Sequence, residues 1–212
     1  MSQNKVLAYG TPLAKAKAAM LMMHGRGASA EDILTIADAL AVDDIAYIAP
    51  QAVGNVWYPV PYAEPVAKNE PQLSNTFALM TTLLEQIHAA GIPAERTFLL
   101  GFSQGACLSL EYTARHPQRF GGVFGLSGVL IENGNQPREY VGKLTDTPVF
   151  VGCSDVDSFF PVSRVQRSTQ VLQGLGAQVT ERIYPGMGHT VNEDELEYVR
   201  TMLGQCVTPK NA

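Results

Sequence analysis

Long hydrophobic runs and basic clusters are missing from this chain. No apolar stretch approaches the roughly 18 residues that cross a bilayer, so stable membrane insertion is not expected. Fifteen Lys and Arg stand against twenty Asp and Glu, for a net charge of −5. With no basic patch or stripe, the sequence argues against a nucleic-acid partner. Cysteine is scarce. Cys107, Cys153 and Cys206 are far apart and lack C-x-x-C spacing, which argues against a disulfide framework or a zinc site. Cys107 and Cys153 sit in apolar surroundings and read as small core residues. A secretory leader is also not expected. The apolar run 18–23 is short, and Glu31, Asp32 and Asp38 separate it from the cleavage-like Ala39-Leu40-Ala41. The expected location is cytoplasmic.

What is present suits one globular domain over residues 1–212, with 46% hydrophobic and 17% charged residues. Apolar runs of strand length recur at 19–23, 45–49, 97–102, 122–126 and 148–152. They do not alternate with polar residues, so both faces should be buried, as in a central parallel sheet. Helical patterns separate them. Leu73, Phe77, Met80, Leu84 and Ile87 recur at spacings of three and four, and Gly91 and Pro93 end that helix. Ser29 is placed to cap a helix over 30–41, and 162–175 and 192–203 read as further helices. The more polar 179–184 fits a strand near a sheet edge. The expectation is an α/β fold: a mostly parallel sheet flanked by helices on both faces. The long irregular segments 50–71 and 128–147 are candidate functional loops, and neither is large enough for a separate lid domain.

Gly101-Phe102-Ser103-Gln104-Gly105 is the most informative stretch. It follows a strand-like run and precedes a segment that can be helical, 106–115. A serine at such a corner, with glycine two positions either side, has the form of a nucleophile elbow. The sharp turn pushes the hydroxyl into a cleft, and the helix N-terminus aimed there favours negative charge. A serine nucleophile needs a base, and the base needs an orienting carboxylate. His189 fits the base, because it lies in a glycine-rich turn at the sheet edge that carries Ser103. His88 reads as solvated and His116 as a helix-end residue. Two aspartates after the run 148–152 compete for the acid, Asp155 and Asp157, and turn chemistry would account for the other. Main-chain N–H groups of Gln104 and Arg26 are the candidate oxyanion donors. Gly25 and Gly27 let the His24–Gly27 loop approach a ligand. The Arg26 side chain is free of that role: it points to solvent or touches an acidic substrate group, and the solvated reading is preferred. Trp57, Phe159 and Met187 are candidate substrate contacts, with Tyr58 and Phe160 beside them; the alternative is that some of them pack the loops onto the core.

Together Ser103, the two glycine motifs and His189 resemble the α/β-hydrolase superfamily. Within it the chain is similar to the compact carboxylesterase and lysophospholipase group that includes the acyl-protein thioesterases. His24-Gly25-Arg26-Gly27 resembles that group's H-G-x-G loop, Gly101–Gly105 its G-F-S-Q-G elbow, and Pro185–His189 its histidine turn. Its acid motif, D-P-x-V-P, places the acid at Asp157 when Pro161 is matched to the last proline. Ser158 and Phe160 depart from that motif. Asn55-x-Trp57 matches the group's loop, but the proline-rich stretch that follows does not.

The resemblance implies hydrolysis of small to medium acyl esters through an acyl-serine, needing no metal or organic cofactor. An acyl thioesterase or lysophospholipase for longer chains is the alternative, and a non-catalytic ligand-binding protein on the same fold is the alternative of another class. The expected partner is a small-molecule ester. A homodimer is compatible with the sequence but not readable from it.

Overall fold

The structure is a computed structural model that describes residues 5–136 and 138–208. Its strands are β1 (Val6–Gly10), β2 (Ala18–Met23), β3 (Ile45–Pro50), β4 (Thr97–Phe102), β5 (Gly122–Leu126), β6 (Pro148–Ser154) and β7 (Gln178–Tyr184). They form one sheet in the order β1-β3-β2-β4-β5-β6-β7. β1 runs antiparallel to β3, and every other pairing is parallel. The helices are α1 (Ala30–Leu40), α2 (Gln72–Ala89), α3 (Gln104–Arg115), α4 (Val162–Gly174) and α5 (Glu193–Val207).

Successive side chains of a strand point to opposite faces. Ala19, Leu21 and Met23 of β2 join the core beneath α2, α3 and α4. Ala18, Met20 and Met22 join the core beneath α1 and α5. An unbroken apolar strand is therefore what a two-sided sheet requires. All five periodic residues of α2 are buried. α3 is buried from Gln104 through Ala114. It packs on β4 and β5 beside α2, which itself rests on β2; Tyr112 lies 6.1 Å from Phe77 and its hydroxyl bonds Thr81 at 2.9 Å. Ser29 caps α1 as expected, in a reciprocal box with Asp32.

β1 is the strand that the apolar runs do not reveal. Four of its five residues are exposed, so it has no buried pattern to read. Its register with β3, Val6 against Pro50 through Gly10 against Ala46, supplies what its side chains do not. β7, at the other edge, is half-buried along most of its length, which accounts for its polar sequence. The loops after β2, β4, β6 and β7 all open at one edge of the sheet, and the candidate site lies there.

Candidate active site

The turn after β4 carries Ser103 in a strained conformation, φ 54° and ψ −118°. A non-glycine residue with positive φ persists only where its surroundings hold it. Those surroundings are unusually close. A Cβ on Gly101 would lie 2.1 Å from the Gly105 carbonyl oxygen, and one on Gly105 would lie 1.9 Å from that of Met23. Both flanking glycines are thus demanded by backbone contact. Ser103 N–H donates to Leu126 O at 3.0 Å, which ties the corner to β5.

His189 comes from the turn after β7. Its Nε2 is 2.9 Å from Ser103 Oγ and its Nδ1 is 2.7 Å from Asp157 Oδ2. The carboxylate can only accept, so Nδ1 carries the proton and Nε2 is left to accept from the serine. The Asp157 side chain is fully buried. Its other oxygen accepts from the main-chain N–H groups of Phe159 at 2.8 Å and Phe160 at 3.1 Å. Asp155 does different work. It is exposed, and its Oδ1 accepts from Gly186 N–H at 2.7 Å. Ser154 Oγ accepts from Gly188 N–H at 2.9 Å. The end of β6 therefore holds the histidine turn at two points while Asp157 holds the ring.

Arg26 and Gln104 both line the cleft above Ser103. A Cβ on Gly25 would lie 3.3 Å from Ser103 Cβ, a tight contact that glycine relieves where this loop passes the serine. α3 begins at Gln104, two residues earlier than the sequence pattern suggests, so its first N–H has no intrahelical partner. His24 supports the loop from below. It is buried, accepts from Ala52 N–H at Nε2 (3.1 Å), and lies 2.7 Å from Gly25 O through Nδ1. Burial lowers its pKa, and the Ala52 bond requires the neutral ring.

The cleft has a volume of about 460 Å³, and its wall is largely aromatic: Tyr58, Tyr62, Phe102, Phe159 and Phe160. The rings of Phe159, Phe102 and Phe160 lie 4.8, 4.9 and 5.8 Å from that of His189. Burial pushes the Tyr62 hydroxyl up to about 12, so it remains a neutral phenol. Burial likewise pushes the Cys107 and Cys153 thiols up to about 12, so neither supplies a thiolate.

Of the three residues expected to touch substrate, the structure brings only Phe159 into the cleft. Trp57 is buried beneath the His24–Gly27 loop, where its Nε1–H donates to His24 O at 2.9 Å and its ring packs 4.7 Å from the His24 ring. Met187 turns away toward α5, with its Sδ 2.9 Å from Asn192 Nδ2. Arg26 is exposed, as the solvated reading of its side chain expects, and its Nη2 also donates to Tyr58 O at 2.7 Å. Sequence reasoning also missed the Gln104 side chain, whose Oε1 accepts from Trp57 N–H at 3.0 Å while Nε2 donates to Tyr58 O at 2.8 Å. Its place inside the elbow was the only signal.

Comparison with known proteins agrees with this geometry. A solved phospholipase/carboxylesterase from Dyadobacter fermentans superimposes with a TM-score of 0.90 at 40% identity, covering 95% of this chain and 96% of that one. The acyl-protein thioesterase 1 of Gibberella zeae is 36% identical over 133 residues, 61% of this chain but only 56% of that protein. Its counterpart in Candida albicans is 29% identical over 204 residues, 85% of this chain and 88% of that protein. The family described as phospholipase/carboxylesterase matches residues 9–207, the span that contains the elbow, the acid loop and the histidine turn. The chain belongs to that family.

Proposed function

We propose that this chain is a carboxylesterase-type serine hydrolase, acting as a single α/β-hydrolase unit on carboxylic esters of small to medium acyl chains. The observation that carries the reading is the continuous Ser103–His189–Asp157 relay, with both contacts at hydrogen-bond distance.

His189 Nε2 takes the proton of Ser103 as Oγ attacks the ester carbonyl. The tetrahedral oxyanion is held by the main-chain N–H groups of Gln104 and Arg26. Collapse breaks the ester C–O bond, and His189 passes its proton to the leaving alcohol. Water then attacks the acyl-serine, giving its proton to His189, and the acid leaves as Ser103 recovers its hydrogen. Asp157 fixes the ring tautomer and stabilises the imidazolium. Ester and water balance the reaction without a cofactor. The cleft volume of about 460 Å³ supports a short or medium acyl group. The reading includes a small-molecule ester met in the cytoplasm; no helix among the described residues is long and apolar enough to cross a membrane.

A second reading is thioester cleavage on longer chains, favoured by the acyl-protein thioesterase relatives. Hydrolysis of 4-nitrophenyl esters from acetate to dodecanoate, with the wild-type chain beside Ser103→Ala, tests both. A short-chain peak that vanishes in the variant supports the first reading, and a long-chain peak supports the second. No activity and no labelling of Ser103 by a fluorophosphonate would sink both and leave a ligand-binding role.

A further inference from the structure

Arg26 is the one arginine, lysine or carboxylate side chain among the described residues that line the cleft. It is an exposed residue on the loop that approaches Ser103, and its guanidinium makes one hydrogen bond. Nη2 donates to Tyr58 O at 2.7 Å, and that oxygen is itself held by Gln104 Nε2 at 2.8 Å. Among the described residues no carboxylate lies within salt-bridge distance of it. The remainder of its five N–H donors is therefore available to a ligand. An arginine with no acid partner, tied at one nitrogen beside an aromatic wall, keeps donors open to an anion. Its planar fork matches a carboxylate better than a spherical ion.

We propose that the substrate is an ester carrying a second, free carboxylate, which Arg26 binds while Phe159, Phe160 and Tyr62 hold the apolar part. The proposal rests on the esterase reading and narrows it to anionic esters. The carboxylate would lie a few carbon atoms from the reacting carbonyl, because one residue supplies both the N–H toward the oxyanion and the guanidinium. Phe159 is 62% exposed at the mouth of the cleft, so its ring face is open to the rest of the substrate. The neighbouring Tyr62 and Phe160 rings stack at 5.1 Å and form the wall behind it.

The test compares matched esters that differ in one charge. The mono-4-nitrophenyl ester of adipic acid, too long for ready closure to a cyclic anhydride, is set against 4-nitrophenyl heptanoate, with the carboxylate on the acyl side. 4-Acetoxybenzoate is set against 4-methylphenyl acetate, with the carboxylate on the alcohol side. The quantity read is the ratio of kcat/KM for the charged ester over the neutral one, in wild type, Arg26→Gln and Arg26→Lys. In at least one pair this ratio should fall about tenfold or more in Arg26→Gln and recover partly in Arg26→Lys. In the wild type it should also fall as salt is raised. A ratio unchanged by Arg26→Gln in both pairs overturns the proposal while leaving the esterase reading intact. Failure of the wild type to hydrolyse any of the four esters overturns the proposal together with the reading beneath it.

Discussion

Gln104 Oε1 accepts a 3.0 Å hydrogen bond from the main-chain N–H of Trp57, 47 residues earlier in the chain. The same side chain donates to Tyr58 O. The residue that follows the proposed nucleophile therefore fixes the loop that forms one wall of the cleft. Both partners are buried backbone groups, and leaving such a group unpaired costs about 1–3 kcal/mol. Gln104→Ala should lower Tm and reduce kcat/KM by about tenfold, although its main-chain N–H is retained. Gln104→Glu should lose more in kcat, since it sets a carboxylate against a carbonyl oxygen and beside the developing oxyanion. Thermal melts and ester kinetics check this, and a Gln104→Ala chain with wild-type Tm would show that the loop is held by other means.

Two aspartates separated by one residue have unlike tasks. Asp157 meets His189 and Asp155 meets Gly186 N–H. Asp157→Asn should cut kcat by about 10⁴-fold, because an amide does not fix the required tautomer. Asp155→Asn keeps an acceptor for Gly186 and should change kcat less than about tenfold. If Asp155→Asn were the variant that abolished turnover, the roles assigned to the two residues would be reversed.

The central strands, the elbow and the histidine turn were legible because each rests on a local pattern: an apolar run, a glycine pair, or a serine before a helix. What stayed hidden depends on contacts distant in sequence. Trp57 carries an aromatic ring in a loop near the cleft by sequence, yet its indole N–H is satisfied by His24 O beneath the loop. Met187 is two residues from His189, but the tight turn sends its sulfur toward Asn192. Spacing alone left the two aspartates open, and matching Pro161 to the motif's last proline already pointed to Asp157, the one that meets His189. β1 escaped for the opposite reason, as an exposed edge strand with no apolar pattern.

Gly105 and Gly174 give opposite expectations for the same change. An added Cβ at Gly105 would collide with the Met23 and His24 carbonyls, at 1.9 and 2.8 Å. Backbone cannot yield as a side-chain end does, so Gly105→Ala should open the elbow and lose activity, with a stability loss beyond the usual 1–3 kcal/mol of overpacking. At the end of α4, a Cβ on Gly174 would meet nothing within 4 Å. Gly174→Ala should raise stability by about 0.5–1 kcal/mol through the unfolded chain's lost freedom. Equilibrium denaturation of both variants decides the point.

Glu195 should make stability fall as pH rises. It is buried in the first turn of α5, with Oε2 accepting from Asn192 N–H at 3.0 Å and Oε1 without a protein partner among the described residues. A Cβ on Gly152 would lie 2.0 Å from that Oε1, so β6 leaves room for the carboxyl only by having glycine there. Burial pushes its pKa from an ordinary 4.5 up to about 7. Between those two values the folded chain holds a proton that the unfolded chain has released. Its contribution to stability is thus full below about pH 4.5 and is lost as pH rises to about 7, a change on the order of 3 kcal/mol. Glu195→Gln cannot ionise, while its amide oxygen can still accept from Asn192. The Tm difference between Glu195→Gln and wild type should therefore grow in favour of the variant from pH 4.5 to pH 7 and level off above. The slope carries the prediction, because any fixed cost of the amide beside Gly152 is the same at every pH. A difference that stays flat across this range would mean that the carboxyl ionises in the folded chain at its ordinary pH.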